Sequence, residues 1–199
     1  MNPEPTDEVL FQRFRDGDPD GFRALVGRHR AGVYAFLVRR VGSPHRAEEL
    51  SQEAFLRAFA RESTFQTGRP FKPWLYAIAV NLARAELRNR RPAPLRLETE
   101  IGDDPAAGKG VAEPADPGPG PAAAAADEEI RRAVRDAVTT LPEAQQEVVL
   151  LSQYQGLSYP EIAEITGRPL GTVKSLMHYA VKTLRGRLEP LRRRLHDEP

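Results

Sequence analysis

Apolar residues recur every three to four positions along most of the chain, which is the spacing of helices with one buried face. No segment alternates convincingly between apolar and polar residues as a half-buried strand would. Thr6, Asp18 and Ser43 are placed to cap helices, and a proline follows the last two as the first helical residue. We therefore predict an all-α protein. The predicted helices span about residues 6–15, 18–42, 43–62, 70–91, 127–140, 142–154, 158–166 and 170–189.

The helical pattern is interrupted between residues 92 and 129. Pro, Gly and Ala supply 22 of these 38 residues, and none is aromatic. Such a segment buries too little apolar surface to offset the entropy of ordering it. We expect a disordered linker here, in which the run Ala122–Ala126 is only a weak helix signal. Two small helical domains, residues 1–91 and 130–199, then lie on either side.

Residues 158–189 carry the strongest local signal. Ser158 and Glu161 have the spacing of a capping box, while Gly167 and then Pro169 are placed to end the helix. A second helix follows after only a few residues. A short turn with a glycine between two helices is typical of a helix-turn-helix.

The second of these helices has two distinct faces. The apolar arc, which should be core, holds Val173, Met177, Ala180, Leu184 and Leu188. The polar arc holds Gly171, Lys174, Ser175, His178 and Lys182, with Tyr179 at its edge. Small, polar and basic groups suit a DNA major groove. An ordinary helical hairpin with a solvated side is the alternative.

The helix predicted over residues 70–91 has a polar stripe next to its apolar arc. The apolar arc holds Phe71, Trp74, Leu75, Ile78, Leu82 and Ala85, and the stripe holds Asn81, Arg84, Arg88 and Arg91. Three arginines and an asparagine in line can follow a phosphate backbone and reach a base. Phe65, in the preceding loop, is placed to stack on an unpaired base. Taken alone, such a stripe is more often a solvated helix face.

The helix predicted over residues 43–62 carries an apolar residue among acids on its outer side. Its inner side holds Ala47, Leu50, Ser51, Ala54 and Ala58, and its outer side holds Glu49, Gln52, Glu53 and Leu56. This combination suggests a contact with another protein. Singly exposed leucines are common, however, so the pattern taken alone favours an ordinary surface.

Composition excludes several kinds of site. The 199 residues include no cysteine, so disulfides, thiol catalysis and cysteine-bound zinc are excluded, and four scattered histidines make a metal site improbable. No apolar run reaches the length of a transmembrane helix, and the acidic N-terminus is unlike a signal peptide. We expect a cytoplasmic protein with no membrane insertion and no cofactor. Its net charge is +5 over residues 1–91, −7 over 92–129 and +3 over 130–199. The basic blocks suit nucleic acid or an ordinary solvated surface.

Three stretches resemble the sigma factors of bacterial RNA polymerase. AEELSQEAFLRAF, residues 47–59, resembles the helix by which sigma factors grip the clamp helices of the largest polymerase subunit. FKPWLYAIAVNLARAELRNRRP, residues 71–92, resembles their helix for melting promoters and recognising the minus-ten element. LPEAQQEVVLLSQYQGLSYPEIAEITGRPLGTVKSLMHYAVKTLR, residues 141–185, resembles their domain for the minus-thirty-five element. Order, spacing and small size resemble the extracytoplasmic-function (ECF) group.

The resemblance implies partners and roles. The partners are core polymerase, through the clamp helices and the flap of the second-largest subunit, promoter DNA and a cognate anti-sigma factor. The implied polymerase-binding residues are Glu49, Gln52, Glu53 and Leu56. The implied minus-ten residues are Phe65, Asn81, Arg84, Arg88 and Arg91. The implied minus-thirty-five residues are Thr172, Lys174, Ser175, His178, Tyr179 and Lys182. The acidic linker corresponds to the segment near the polymerase active site and the RNA exit path.

One departure from the family pattern lies in the recognition helix. Family members usually carry arginine where this chain has Leu176 and Tyr179. Arginine is the usual residue for guanine and phosphate. The sequence therefore predicts weaker upstream contacts or an unusual upstream element.

Three other functions stay open on the residues alone. A one-component regulator would bind duplex DNA without polymerase and would carry a sensor or dimerisation domain at its N-terminus. An enzyme would need a convergent set of acid, base, nucleophile or metal ligands, whereas the acids here fall on helix surfaces or in the linker. A protein that sequesters polymerase through its acidic linker would not support transcription from a promoter fragment.

Overall fold

The computed structural model describes residues 4–66, 68–90 and 121–197, with side chains for 4–66, 68–90 and 128–194. Every regular element in these ranges is helical, which confirms the all-α prediction. The chain forms two compact units, Met1–Gly108 with Pro160–Gly167, and Lys109–Tyr159 with Arg168–Pro199. Most of the predicted linker, residues 92–120, lies outside the described residues, as does Arg91. None of the described helices is long and apolar enough to span a membrane.

Four helices lie at the start of the chain, and the first three begin close to where their capping residues predict. They are α1, Asp7–Arg15; α2, Pro19–Val41; α3, Pro44–Ala60; and α4, Phe71–Arg90. The side chains of Thr6, Asp18 and Ser43 each accept a hydrogen bond from a backbone N–H in the first turn of their helix. Gly42 ends α2 at φ 75°, a left-handed conformation that glycine adopts readily. Beyond α3, one 3₁₀ turn covers Glu62–Thr64.

The core of this unit combines aromatic and aliphatic side chains. Phe11, Phe36 and Phe71 are fully buried, and the rings of Phe11 and Phe71 lie 5.1 Å apart. α4 packs against α1, α2 and α3. It therefore buries more than its apolar arc: Tyr76, Ala79 and Val80 are buried as well.

Four further helices follow. They are α5, Pro121–Thr139; α6, Glu143–Val149; α7, Tyr159–Thr166; and α8, Leu170–Asp197. The helix predicted over 142–154 changes character midway, because α6 continues as one π-helical turn, Leu150–Tyr154. In the second unit α8 packs against α5 and α6.

Two helix boundaries differ from the predictions. α5 begins at Pro121, so residues 121–129 are helical although they were expected in the linker. Alanine has the highest helix propensity, and the run at 122–126 extends the helix toward its N-terminus. α8 continues past the predicted end at 189 and includes Pro190.

Candidate functional site

The two sides of α3 lie as the sequence predicts. All five inner residues are buried. On the outer side Glu49 and Gln52 are exposed, Glu53 is half-buried, and Leu56 is 69% exposed. The side chain of Leu56 is therefore accessible to another protein.

The acids of this outer side are already paired with arginines of the same helix. Arg46 donates to Glu49 over 2.6 Å, and Arg57 donates to Glu53 over 2.5 Å. The hydrogen bond from Arg46 lowers the pKa of the Glu49 carboxyl below its ordinary value. Glu49 is therefore ionised at neutral pH. Exposed pairs of this kind are weak, so a basic partner can displace them at little cost.

An exposed aromatic residue extends the apolar contact beyond Leu56. Phe59, one turn further along α3, is 52% exposed. Its ring lies 5.0 Å from Phe14 of α1 and 5.4 Å from Phe22 of α2, and both of these are half-buried. Sequence reasoning missed Phe59. The signal was its spacing of three residues from Leu56, which places both on one side of a helix.

A groove of about 470 Å³ runs between α2 and α3 beside this surface. Its lining residues are Gly27, Arg30, Ala31, Tyr34, Glu48, Ser51 and Gln52. Gln52 is thus both on the outer side of α3 and at the edge of the groove.

The predicted stripe on α4 is accessible in part. Asn81 and Arg88 are exposed, and Arg84 is half-buried. Glu8 of α1 accepts a hydrogen bond of 3.1 Å from the backbone N–H of Phe71 at the start of α4. α1 therefore helps to fix the N-terminus of α4, which local sequence does not reveal.

The expectation that Phe65 is available to stack on a base is not met. Phe65 is only 6% exposed. Its ring lies 4.7 Å from that of Phe11 and 5.2 Å from that of Trp74, both nearly edge-on. The ring of Phe65 is more stable packed against these aromatic rings than exposed to solvent in the loop. Phe65 therefore anchors the loop to the core and does not face solvent.

The predicted DNA-facing residues of α8 are all exposed: Thr172, Lys174, Ser175, His178, Tyr179 and Lys182. The opposite arc is buried at Val173, Met177 and Ala180 and half-buried at Leu184 and Leu188. The rings of His178 and Tyr179 lie 5.6 Å apart, edge to face. Leu176 is half-buried and so contributes little to the exposed side. The chemistry of this surface is therefore polar and only moderately basic.

The turn between α7 and α8 has the backbone that its glycine predicts. Gly167 has φ 67°, and its N–H donates to the carbonyl of Glu164 over 3.3 Å. Arg168, the next residue, donates to Glu147 of α6 over 2.7 Å. Glu147 is 1% exposed, so this ion pair fixes the start of the segment that leads into α8. Sequence reasoning missed it, because no local pattern links the two positions.

Among the residues with described positions, no group of three histidine or acidic side chains is arranged to hold a metal ion.

Two protein families match the chain in the expected order. Residues 25–92 match sigma-70 region 2, and residues 131–184 match sigma-70, region 4. The first match contains α3 and α4, and the second contains α6, α7 and the exposed part of α8.

Curated relatives match over nearly the whole chain. The chain is 33% identical over 187 residues to the ECF RNA polymerase sigma factor SigW of Bacillus subtilis, covering 94% of this chain and 95% of the relative. It is 33% identical over 196 residues to the ECF RNA polymerase sigma-E factor of Escherichia coli K12, covering 98% of this chain and all of the relative.

Solved structures share the fold. CnrH in complex with the cytosolic domain of CnrY matches with a TM-score of 0.68 and 22% identity, covering 94% of this chain and 99% of that one. The sigma factor RpoE of Bartonella quintana, in complex with the anti-sigma factor NepR, matches with a TM-score of 0.63 and 23% identity, covering 84% and 96%.

Proposed function

The chain belongs to the extracytoplasmic-function sigma factors of bacterial RNA polymerase, and from this membership we propose which of its surfaces perform each step of initiation. A sigma factor of this family directs core polymerase to promoters, binds promoter DNA and catalyses no reaction itself. Initiation is therefore a matter of binding: polymerase supplies the chemistry, and this chain supplies position and strand separation. We place this activity in the cytoplasm, where polymerase acts.

The outer side of α3 is the proposed polymerase surface. It combines Leu56 with the acids Glu49 and Glu53 and with Gln52, and we add Phe59 to this set. The apolar residues supply the area that leaves water on binding, and the paired acids orient a basic partner. The observation that carries the proposal is the 69% exposure of Leu56 on a helix whose other side is fully packed.

The stripe on α4 is the proposed minus-ten surface. Exposed Arg88 and half-buried Arg84 suit the phosphate backbone, with Arg91 continuing the stripe on sequence grounds. The amide of Asn81 offers two donors and an acceptor for the edge of an unpaired base. Unpairing costs a few kcal/mol per base, and capture of the extruded base recovers part of it. Phe65 keeps a supporting role beneath the loop.

The exposed side of α8 is the proposed minus-thirty-five surface. Lys174, His178 and Lys182 lie on one side with Ser175, and Tyr179 borders them. With Leu176 turned partly inward, few cations are available, and we expect modest affinity for the upstream element.

An anti-sigma factor is the proposed regulator. Support comes from the relatives, since the RpoE structure that this chain resembles is a complex with an anti-sigma factor. A candidate partner should abolish run-off transcription at equimolar concentration. Transcription that persists in a saturating amount of it would reject that candidate.

The polymerase surface is tested with purified core polymerase and the full-length chain. Glu53→Lys combined with Leu56→Ala should weaken polymerase binding and run-off transcription together, because it removes apolar area and reverses a charge. Val9→Ala, which shortens another exposed aliphatic side chain of the same unit, is the matched control and should change neither. Wild-type affinity of the double variant, with helicity preserved, would place the interface elsewhere.

A further inference from the structure

A buried carboxylate lies where α3, α4 and the end of α2 meet. Glu86 of α4 is 8% exposed. One of its oxygens accepts a hydrogen bond of 2.8 Å from Arg46 Nε of α3, and the other accepts one of 2.8 Å from Arg90 Nε of α4. Each oxygen thus has its own guanidinium.

Both arginines make a second contact that leads away from Glu86. Arg90 donates to the backbone carbonyl of Val41 over 2.9 Å. Val41 is the last residue of α2, where carbonyls have no partner within the helix. Arg46 donates to Glu49 of α3 over 2.6 Å. We call Arg46, Glu86 and Arg90 the interhelix cluster; it joins three helices through one carboxylate.

Ionisation of Glu86 is what holds the cluster together. Burial opposes the charge, but the hydrogen bonds from Arg46 and Arg90 outweigh it and keep the pKa of the Glu86 carboxyl below its ordinary value. Hydrogen bonds to Glu49 and Glu86 raise the pKa of the Arg46 guanidinium. Only the carboxylate is shielded from water, because the side chains of Arg46 and Arg90 are 40% and 42% exposed. Removing its charge leaves both arginines without their shared acceptor.

The cluster connects the two helices that carry the proposed functional surfaces. Glu86 projects from the buried side of α4, opposite Arg84 and Arg88 of the minus-ten stripe, and Arg46 contacts Glu49 of the polymerase surface. Arg46 therefore contacts both a polymerase-facing acid and the anchor of the DNA-facing helix.

We propose that Arg46 and Glu86 are positioning residues for promoter opening. They hold the second half of α4 at a fixed place relative to α3, so that polymerase bound to α3 presents the stripe of α4 in register with the minus-ten element. This inference rests on the proposed functions of α3 and α4. A cluster that only stabilises the fold would affect every activity in proportion to the folded fraction.

The test uses full-length Glu86→Gln with core polymerase. Glutamine keeps the size of the side chain but removes the charge that both arginines require. In a binding titration we expect the affinity for polymerase to stay within about twofold of wild type. The opening rate is then measured with polymerase at saturation. We expect the rate of open-complex formation on duplex promoter to fall by about tenfold, since misplacement of a functional group by an ångström has effects of this order or larger. A template pre-melted across the minus-ten element should recover most of the loss.

Two further variants keep the test decisive. Arg46→Lys serves if Glu86→Gln fails to fold. Lysine keeps the positive charge but lacks the planar guanidinium that bonds Glu49 and Glu86 at once, so we expect the same defect in milder form. Glu4→Gln is the matched control, because Glu4 also pairs with an arginine of another element, Arg28 of α2 over 3.6 Å, but in an exposed position. It should open promoters at the wild-type rate.

The outcomes separate this inference from the proposed function. Wild-type opening by Glu86→Gln and Arg46→Lys, in an assay where Asn81→Ala is defective, overturns the positioning role alone. An equal loss on duplex and pre-melted templates also overturns it and leaves a purely structural cluster. If Asn81→Ala opens the duplex normally as well, the proposed role of α4 fails with it.

Discussion

At the scale of single residues, Lys174 is the most informative position on α8. It is exposed in the first turns of the helix, on the side that we assign to the upstream element. If it contacts a phosphate, Lys174→Ala should weaken duplex binding and reduce the slope of log affinity against log salt by about 0.9, because one fewer counterion is released.

Arg187 provides the control for Lys174. It is exposed on the same helix but projects from the opposite side. Arg187→Ala should leave the salt slope unchanged, and fluorescence anisotropy over a series of salt concentrations measures both. A change in base preference with no change in slope would show that Lys174 contacts a base and not a phosphate.

Glu86 also predicts a pH dependence of stability. Because the pKa of its carboxyl is lower in the fold than the ordinary value of about 4.3, the ionised form stabilises the folded protein above that pH. This contribution is lost as the pH falls through the lowered pKa. Glu86→Gln removes the ionisable group, so the variant should melt at a lower temperature than wild type near neutral pH. This difference in melting temperature should become smaller as the pH falls from about 5 to about 3.

Thermal unfolding at intervals between pH 7 and pH 3 measures that gap. Glu48→Gln, whose carboxylate is exposed, should show little difference from wild type at any pH. A gap for Glu86→Gln that stays constant down to pH 3 would mean that the charge of Glu86 contributes nothing to the cluster.

At the scale of helices, the contact between α1 and α2 depends on Gly21. A Cβ atom at this position would lie 2.3 Å from the carbonyl oxygen of Leu10, which is backbone and cannot rotate away. Gly21→Ala should therefore force α1 off α2 and lower the free energy of unfolding by about 1–3 kcal/mol. Since Glu8 of α1 holds the start of α4, promoter opening should weaken as well.

Gly27 is the matched position on the same helix. A Cβ atom there would meet nothing within 4 Å. Gly27→Ala should stabilise the protein by about 0.5–1 kcal/mol, because alanine loses less backbone entropy in a helix. Urea unfolding of both variants gives the comparison, and equal effects of the same sign would contradict the packing argument.

The helices also show which parts of the fold the sequence can predict. Caps act within three residues, so Thr6, Asp18 and Ser43 were sufficient to predict the starts of α1, α2 and α3. The burial of Phe65 depends on Phe11 in another helix, which no local pattern contains.

The candidate sites divide in the same way. The exposed sides of α3 and α8 follow from helical periodicity and were predicted residue by residue. The interhelix cluster was only half visible: Glu86 and Arg90 have the spacing of a helical ion pair, but Arg46 lies 40 positions earlier. Contacts between distant helices are set by packing and need the structure.

At the scale of the whole molecule, we propose that α4 converts polymerase binding into strand opening. The surfaces that we propose for polymerase on α3 and for DNA on α4 belong to helices that pack against each other, so binding energy gained at one surface can hold the other in place. A plain DNA-binding protein needs no such arrangement. The distinction rests on Asn81, whose amide has no free base edge to bond while the duplex is closed.

The role of α4 in opening is tested by the permanganate reactivity of unpaired thymines. The holoenzymes compared carry wild type, Asn81→Ala or Asn89→Ala. Asn89 is also exposed on α4 but lies about 80° from Asn81, on the side away from the arginines. Asn81→Ala should reduce thymine reactivity on the duplex by up to about tenfold, which corresponds to the loss of one or two hydrogen bonds. On a pre-melted template the reactivity should recover in part. Asn89→Ala should match wild type on both. Equal reactivity of wild type and Asn81→Ala on the duplex would contradict the account and leave Asn81 a solvated residue on a helix.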